Sequence, residues 1–336
     1  MKTLTDKLVP RCVGRYVISL PQEFVINPIH RSTIEEVELD VQPMKRAAFE
    51  LSFEARRREL EAILLPGTDK LPHLRKTIAV PDSAIGAVFD RSKSDVSGDR
   101  MGRTLELLAW RDGFQIAASI KARDTTFPED ADDSIAKQLK TDVPEKLAHL
   151  LDIFQRTRGL AEGEVPTEPG VCIRHGFVRG AASELEDVEI TYQLKGAEDG
   201  YFTFHTIGDL KQDSELLDRG AAIEADLKKV GVQGRTLRKG VLKLKGLDAQ
   251  EWLLTRKGEA VMLHDFSLEA NSKIASAKTP VLMLEFLNGG RAPHLPRTTE
   301  ESATLQPLTK ATFSEAEAIA LWDAVAPTLT PRPGAF

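Results

Sequence analysis

The residues able to carry chemistry are few and scattered. Seven histidines stand at positions 30, 73, 149, 175, 205, 264 and 294, and none pairs with another at the four-residue spacing of a helical metal site. Two cysteines, Cys12 and Cys172, cannot build a structural zinc site on their own. No G-x-S-x-G is present, so a serine nucleophile on a strand-to-helix elbow has no support. Neither G-x-G-x-x-G nor G-x-x-x-x-G-K-[ST] occurs, which removes the usual signs of dinucleotide or P-loop binding. The HDF stretch sets His264 beside Asp265 in an expected strand, where neighbours point to opposite faces and cannot form a dyad. The acidic run EDADD at 129–133 suits a cation, but more simply a solvated loop ahead of a helix. The run EARRRE at 54–59 reads as the wet face of a helix, with Glu54 pairing along it to Arg57 and Arg58.

The elements that would position a site come from apolar spacing. Four helices are expected. The first covers Met44 to Leu65 behind Pro43, and the second Pro144 to about Thr157. The third runs from about Ser214 to Val230, stopped by Gly231. The fourth opens at Ser314, where Glu317 three residues on makes a capping box and Phe313 with Ala318 a hydrophobic staple. Between the helices the chain alternates like antiparallel sheet, near 74–80, 84–90, 103–110 and 114–121, and again near 235–245, 249–256, 260–269 and 279–288. Asp112-Gly113 between two apolar runs is a hairpin signal. Shorter strands precede the first and third helices.

The order strands, helix, about four strands, helix is thus stated twice. The expected fold class is α+β, with two similar domains, each a mainly antiparallel sheet with packed helices. The length of 336 residues fits two domains. A stretch of glycine, proline and glutamate at 159–170 divides them into 1–160 and 164–336. Cys12 and Cys172 each mark the first strand of a half. Two readings stay open for them: two small buried apolar side chains, or a disulfide across the domain junction.

Three loops exceed what connection requires: 90–103, 123–133 and 288–307. The first and last are rich in charge, a composition suited to the polar rim of a protein interface. Arg91, Asp95, Asp99 and Arg100 in one, and Arg291 and His294 in the other, are the candidate partner contacts. The net charge of −6 argues against a general nucleic-acid binder, which shows a basic stripe. The opening MKTLTDKLVPRC holds no apolar run of signal-peptide length, so the sequence taken literally starts in the cytoplasm.

CVGRYVISLP at the start of the first half and VPTEPGVCIRHGFV at the start of the second carry a resemblance. The chain resembles the two-domain immunity proteins made against phospholipase effectors of the type VI secretion system. Cys12, Gly14, Arg15, Tyr16 and Pro21 match the first opening. Pro166, Thr167, Glu168, Gly170, Cys172, Gly176 and Phe177 match the second, and DVQPM at 40–44 is similar too. The resemblance implies a two-armed clamp that binds a cognate lipase, blocks its lid or active-site opening, acts in the periplasm, and is not an enzyme. It implies no cofactor and no membrane span, and these motifs assign no contact residues. Two rivals remain: a hydrolase with a site at the domain junction, and an adaptor that loads an effector for export.

Overall fold

The structure, a computed structural model, describes residues 2–66, 71–81, 84–95, 101–126, 138–229, 234–258, 261–293 and 308–336. In chain order the strands are β1 (Leu8–Val13), β2 (Tyr16–Pro21), β3 (Phe24–Ile34) and β4 (Val37–Pro43), then helix α1 (Arg46–Ala62). Four strands follow: β5 (Leu74–Ala79), β6 (Ile85–Ser92), β7 (Gly102–Arg111) and β8 (Phe114–Arg123). Helix α2 (Val143–Arg156) leads into short strands β9 (Thr157–Gly159), β10 (Gly170–Ile173) and β11 (Gly176–Arg179). Then come β12 (Glu186–Leu194), β13 (Asp199–Ile207) and α3 (Gly220–Lys229). The chain ends with β14 (Gly234–Leu244), β15 (Leu247–Lys257), β16 (Met262–Ala270), β17 (Val281–Arg291), α4 (Glu315–Val325) and β18 (Thr330–Pro331). The fold is sheet-dominated with few helices, and every strand pair cited below is antiparallel. The third expected helix starts later than its apolar spacing indicated, at Gly220 rather than Ser214.

Two compact units form, and they trace the chain differently from the two sequence halves. One unit comprises residues 1–35, 162–174 and 180–336; the other comprises 36–161 and 175–179. Residues 1–35 therefore pack with the C-terminal part of the chain.

In the smaller unit, β4, β8, β7, β6 and β5 pair in that order. Asp112 and Gly113 join β7 to β8 with φ of 52° and 87°, the left-handed pair that a two-residue turn of matching twist requires. Each face of this sheet carries a helix. On one side Phe53 of α1 stacks on Phe89 at 5.4 Å, with Leu60 and Ala87 around them. Leu105, Leu107 and Ala109 point the other way, with Ile116, Ala118 and Ile120 across the strand pair, all buried. There α2, which packs on β8 and β7, buries Leu150, Ile153 and Phe154.

In the larger unit the order is β14-β15-β16-β17-β13-β12-β3. A small sheet, β1-β2-β18, packs with it. Alternation puts Phe202, Phe204, Phe266, Phe286, Leu268 and Leu284 on one face, all buried. Helix α4 closes that face. Its Ser314 cap accepts from the Glu317 backbone while Glu317 reaches back, so the capping box forms as its residues indicate. Trp322 meets Phe266 edge to face at 5.9 Å.

Candidate interaction surface

Most residues that carry the family resemblance lie in the larger unit, while Gly176, Phe177 and the stretch 40–44 belong to the smaller one. Cys12 and Cys172 form a disulfide with their Cα atoms 5.8 Å apart. Both belong to the larger unit, so the bond ties its N-terminal strands to its own body rather than joining the two units. Gly14 bridges Cys172 through paired backbone hydrogen bonds of 2.9 and 2.8 Å. Its φ of +56° and a Thr206 hydroxyl 3.0 Å from where a Cβ would sit explain why glycine stands there. Arg15, 3% exposed, grips Glu186 with two bonds of 2.9 and 2.6 Å and also reaches the Ala181 and Ala335 carbonyls. Arg332, equally buried, donates to the Pro166 and Glu168 carbonyls at 2.5 and 2.9 Å. Burial lowers its pKa, with the Arg15 charge adding to the effect. Burial likewise pushes the Tyr16 phenol up. The side chains of Arg15, Tyr16 and Arg332 are almost wholly enclosed.

The charged loop residues fall in several environments. Arg91 lies in β6 and is engaged with Glu106 at 2.5 Å, in a cluster that Arg56 of α1 completes at 2.8 Å. Asp95 is exposed. Arg291 ends β17 and pairs with Glu198. Asp99, Arg100 and His294 lie outside the described residues, as does the acidic run 129–133. The ends of the expected 90–103 loop are not loop at all. Arg103 is fully buried and binds the Asp90 carboxylate at 2.9 and 2.7 Å, with the Ser92 hydroxyl 3.1 Å away.

His264 and Asp265 do face opposite sides of the sheet. His264 is buried on the α4 side, where Asn288 meets its Nδ1 at 2.9 Å. Burial lowers its pKa. Asp265 lies on the opposite, outer face.

That outer face was missed at the sequence level, although its signal was present. DVEITYQL spaces Asp187 and Glu189 two apart, which places both on one side of β12. Register brings the rest together. Glu189 stands opposite His205, and Glu285 stands between Thr203 and Ser267. Asp265 and Tyr201 both stand opposite Leu287. The outer face therefore presents five carboxylates, those of Asp187, Glu189, Asp265, Glu269 and Glu285, of which Glu269 is paired with Arg219 at 2.5 Å. Asp187 meets His205 Nε2 at 2.7 Å and Arg31 at 3.6 Å. Burial raises the Asp187 carboxyl, but the His205 and Arg31 contacts outweigh it and the net shift is down. Asp265 sees Arg256 only at 3.9 Å. Its pKa is raised by partial burial, which Arg256 only partly offsets. Glu285 is raised by partial enclosure and then by the charges of Asp265 and Glu189.

Among the described residues no group of three or more His, Cys, Asp and Glu side chains could hold a metal ion. A cavity of about 530 Å³ in the larger unit is lined by Tyr16, Leu247, Ile274 and Phe336 among others. The two carboxyls with raised pKa values, Asp265 and Glu285, lie on the open sheet face and shift in the same direction, unlike an acid and base set apart for catalysis.

Comparison with known proteins agrees with the fold. No curated protein matches the chain. The apo structure of the immunity protein TplEi of the type VI secretion system from Pseudomonas aeruginosa superposes with a TM-score of 0.70 at 18% identity, over 98% of each chain. A chain of the Tle4-Tli4 complex gives 0.71 at 19% identity, over 98% of this chain and 99% of that one. TplEi complexed with the "L" peptide gives 0.62 at 18% identity, over 97% and 98%. At these identities the likeness is one of fold. Family models reach further. The Tle cognate immunity protein 4 N-terminal domain matches residues 9–159, and the C-terminal domain of the same family matches 164–334. Members of that family are immunity proteins rather than enzymes, and this chain belongs to the Tle cognate immunity protein 4 family.

Proposed function

We propose that this chain protects a cell by binding and inhibiting a cognate phospholipase effector of the type VI secretion system. The observation that carries the reading is the pair of family models, which together span residues 9–159 and 164–334. The Tle4-Tli4 complex supplies the precedent of a relative bound to its effector. Inhibition works by occlusion: the chain covers the lid or active-site opening of the lipase. Arg91, Asp95, Asp99, Arg100, Arg291 and His294 belong to the polar rim of that contact. The periplasm is the compartment, a reading that the Cys12–Cys172 bond supports, because structural disulfides persist in oxidising surroundings. No helix among the described residues is long and apolar enough to cross a membrane. The test is to mix the purified chain with its cognate phospholipase effector and follow lipid hydrolysis. Stoichiometric loss of activity with slow dissociation is expected. Full activity at a tenfold excess of the chain overturns the reading, and rapid release points to a loading adaptor instead.

A further inference from the structure

The two units treat their sheets differently. The smaller unit covers both faces with helices, α1 on one and α2 on the other. The larger unit covers one face with α4 and the β1-β2-β18 layer. On the other face α3 reaches only the margin, where a Cβ added at Gly220 would stand 3.6 Å from the Trp252 ring. Among the described residues no helix covers the middle of that face, on β16, β17, β13 and β12. Glu285 at its centre is exposed, and Asp265, Tyr201, Thr203, His205 and Leu287 are half-buried around it.

A sheet face left open in this way normally carries matched charges or neutral polar groups. This one does not. It holds five carboxylates against three guanidinium groups, Arg31, Arg219 and Arg256. Glu285 makes no side-chain hydrogen bond or ion pair with any described residue. Its diagonal neighbours on β16 are the acids Asp265 and Glu269, and on β13 they are Tyr201 and His205. Asp187 is already engaged by His205 and Arg31. The unbalanced charge is thus concentrated at Glu285 and Asp265, beside the apolar surfaces of Tyr201 and Leu287. A lysine or arginine suits such a place, because its stem packs on the apolar strip while its head meets the carboxylates.

We propose that the outer face of β16, β17, β13 and β12 docks a basic, partly apolar segment of the effector, with Glu285 and Asp265 receiving an arginine or lysine from it. The proposal rests on the immunity function proposed above and names where on this chain the partner's charge is read. Binding brings the missing cation and removes the repulsion between neighbouring acids. The same two residues should then limit the stability of the free chain while supporting the complex, as groups shaped for a partner commonly do.

The experiment is a titration of the intact chain against its cognate phospholipase effector, at low and high salt. Glu285→Lys is expected to weaken binding by about 100-fold and the double variant Asp265→Asn/Glu285→Gln by about 10-fold, the loss expected when charges at an interface are reversed or removed. The wild-type affinity should fall with added salt, and the double variant should respond less. Asp323→Lys on α4, on the opposite side of the sheet, should bind as wild type does. Melting of each free variant separates lost contact from lost folding, and the double variant should melt no lower than wild type. Unchanged affinity of Glu285→Lys, with the wild type binding, overturns this proposal and leaves the immunity reading standing. Equal weakening by Asp323→Lys overturns it also, since net charge alone would then explain the loss. A wild type that fails to bind the effector removes the immunity reading and this proposal with it.

Discussion

Cys12 and Cys172 are 160 positions apart and covalently joined, while the bridge from Gly14 to Cys172 lays the two chain segments side by side. The bond closes a loop that contains the whole of the smaller unit except β11. In the chain-entropy model a loop of that length is worth about 5 kcal/mol to the folded state. Cys12→Ala/Cys172→Ala is therefore expected to lower the urea midpoint strongly, and reduction of the wild type to do the same. Thiol labelling of the native, unreduced protein should give no signal. A double variant that unfolds with the wild type would show that the bond contributes nothing.

Arg15 and Glu186 form a buried ion pair; Arg15 donates its remaining bonds to backbone carbonyls, and Glu186 accepts from the Ser183 backbone N–H. Removing one partner leaves the other charged and enclosed, a loss on the order of 3–5 kcal/mol. Arg15→Ala should destabilise by that amount. Arg15→Lys should rescue little, because one ammonium cannot reproduce the guanidinium fork. Equilibrium unfolding of both variants decides it, and a lysine variant as stable as wild type refutes the geometric part of the argument.

Much of the fold was legible in the sequence because its signals are local. Alternation marked the eight long strands that follow the first and third helices, Asp112-Gly113 marked their tightest hairpin, and Ser314 with Glu317 marked the start of α4. What was not legible depends on contacts distant along the chain. Nothing in residues 1–35 announces that β3 will pair with β12, and the Cys12–Cys172 bond was one of two readings that the sequence left open. Asp90 and Arg103 read as the ends of a polar loop because charge usually means solvent, yet each buries the other. The outer acidic face needed register as well as alternation, since Asp265, Glu285 and Glu189 come from three separate strands.

Asp265 and Glu285 also predict a dependence on pH. Both carboxyls have pKa values raised in the folded chain, so they bind protons more tightly folded than unfolded. Their effect is neutral well below the ordinary carboxylate pKa of about 4 and becomes destabilising as pH rises through the folded values. Glu285→Gln and Asp265→Asn should each stabilise the free protein at pH 7, by less than about 1 kcal/mol because both side chains keep some water. The gain should disappear at about pH 3–4, where the native carboxyls are themselves protonated. Chemical denaturation at the two pH values tests this. A gain of equal size at both would mean that packing, not ionisation, is responsible.

The last prediction concerns cutting the chain at 160/164, the boundary that the two halves of the sequence suggest. A fragment of residues 164–336 lacks β1, β2 and β3. It would expose the edge of β12 along Glu186–Leu194, which β3 pairs in the intact chain. It would lose Phe24, fully buried and 5.3 Å from the Phe202 ring, and it would leave Cys172 without its partner. An open apolar edge of that length invites aggregation. The fragment is therefore expected to be insoluble or to lack a cooperative melt, and to inhibit nothing. Residues 1–160 would carry the missing strands without the sheet they belong to. Co-expression of the two fragments in an oxidising compartment should restore a soluble complex, linked through Cys12 and Cys172 and separable on a gel only after reduction. That complex should inhibit the effector as the intact chain does. A fragment 164–336 that folds cooperatively by itself would show that the first 35 residues are an accessory to the larger unit, and the loss expected for the cysteine variants would then shrink with it.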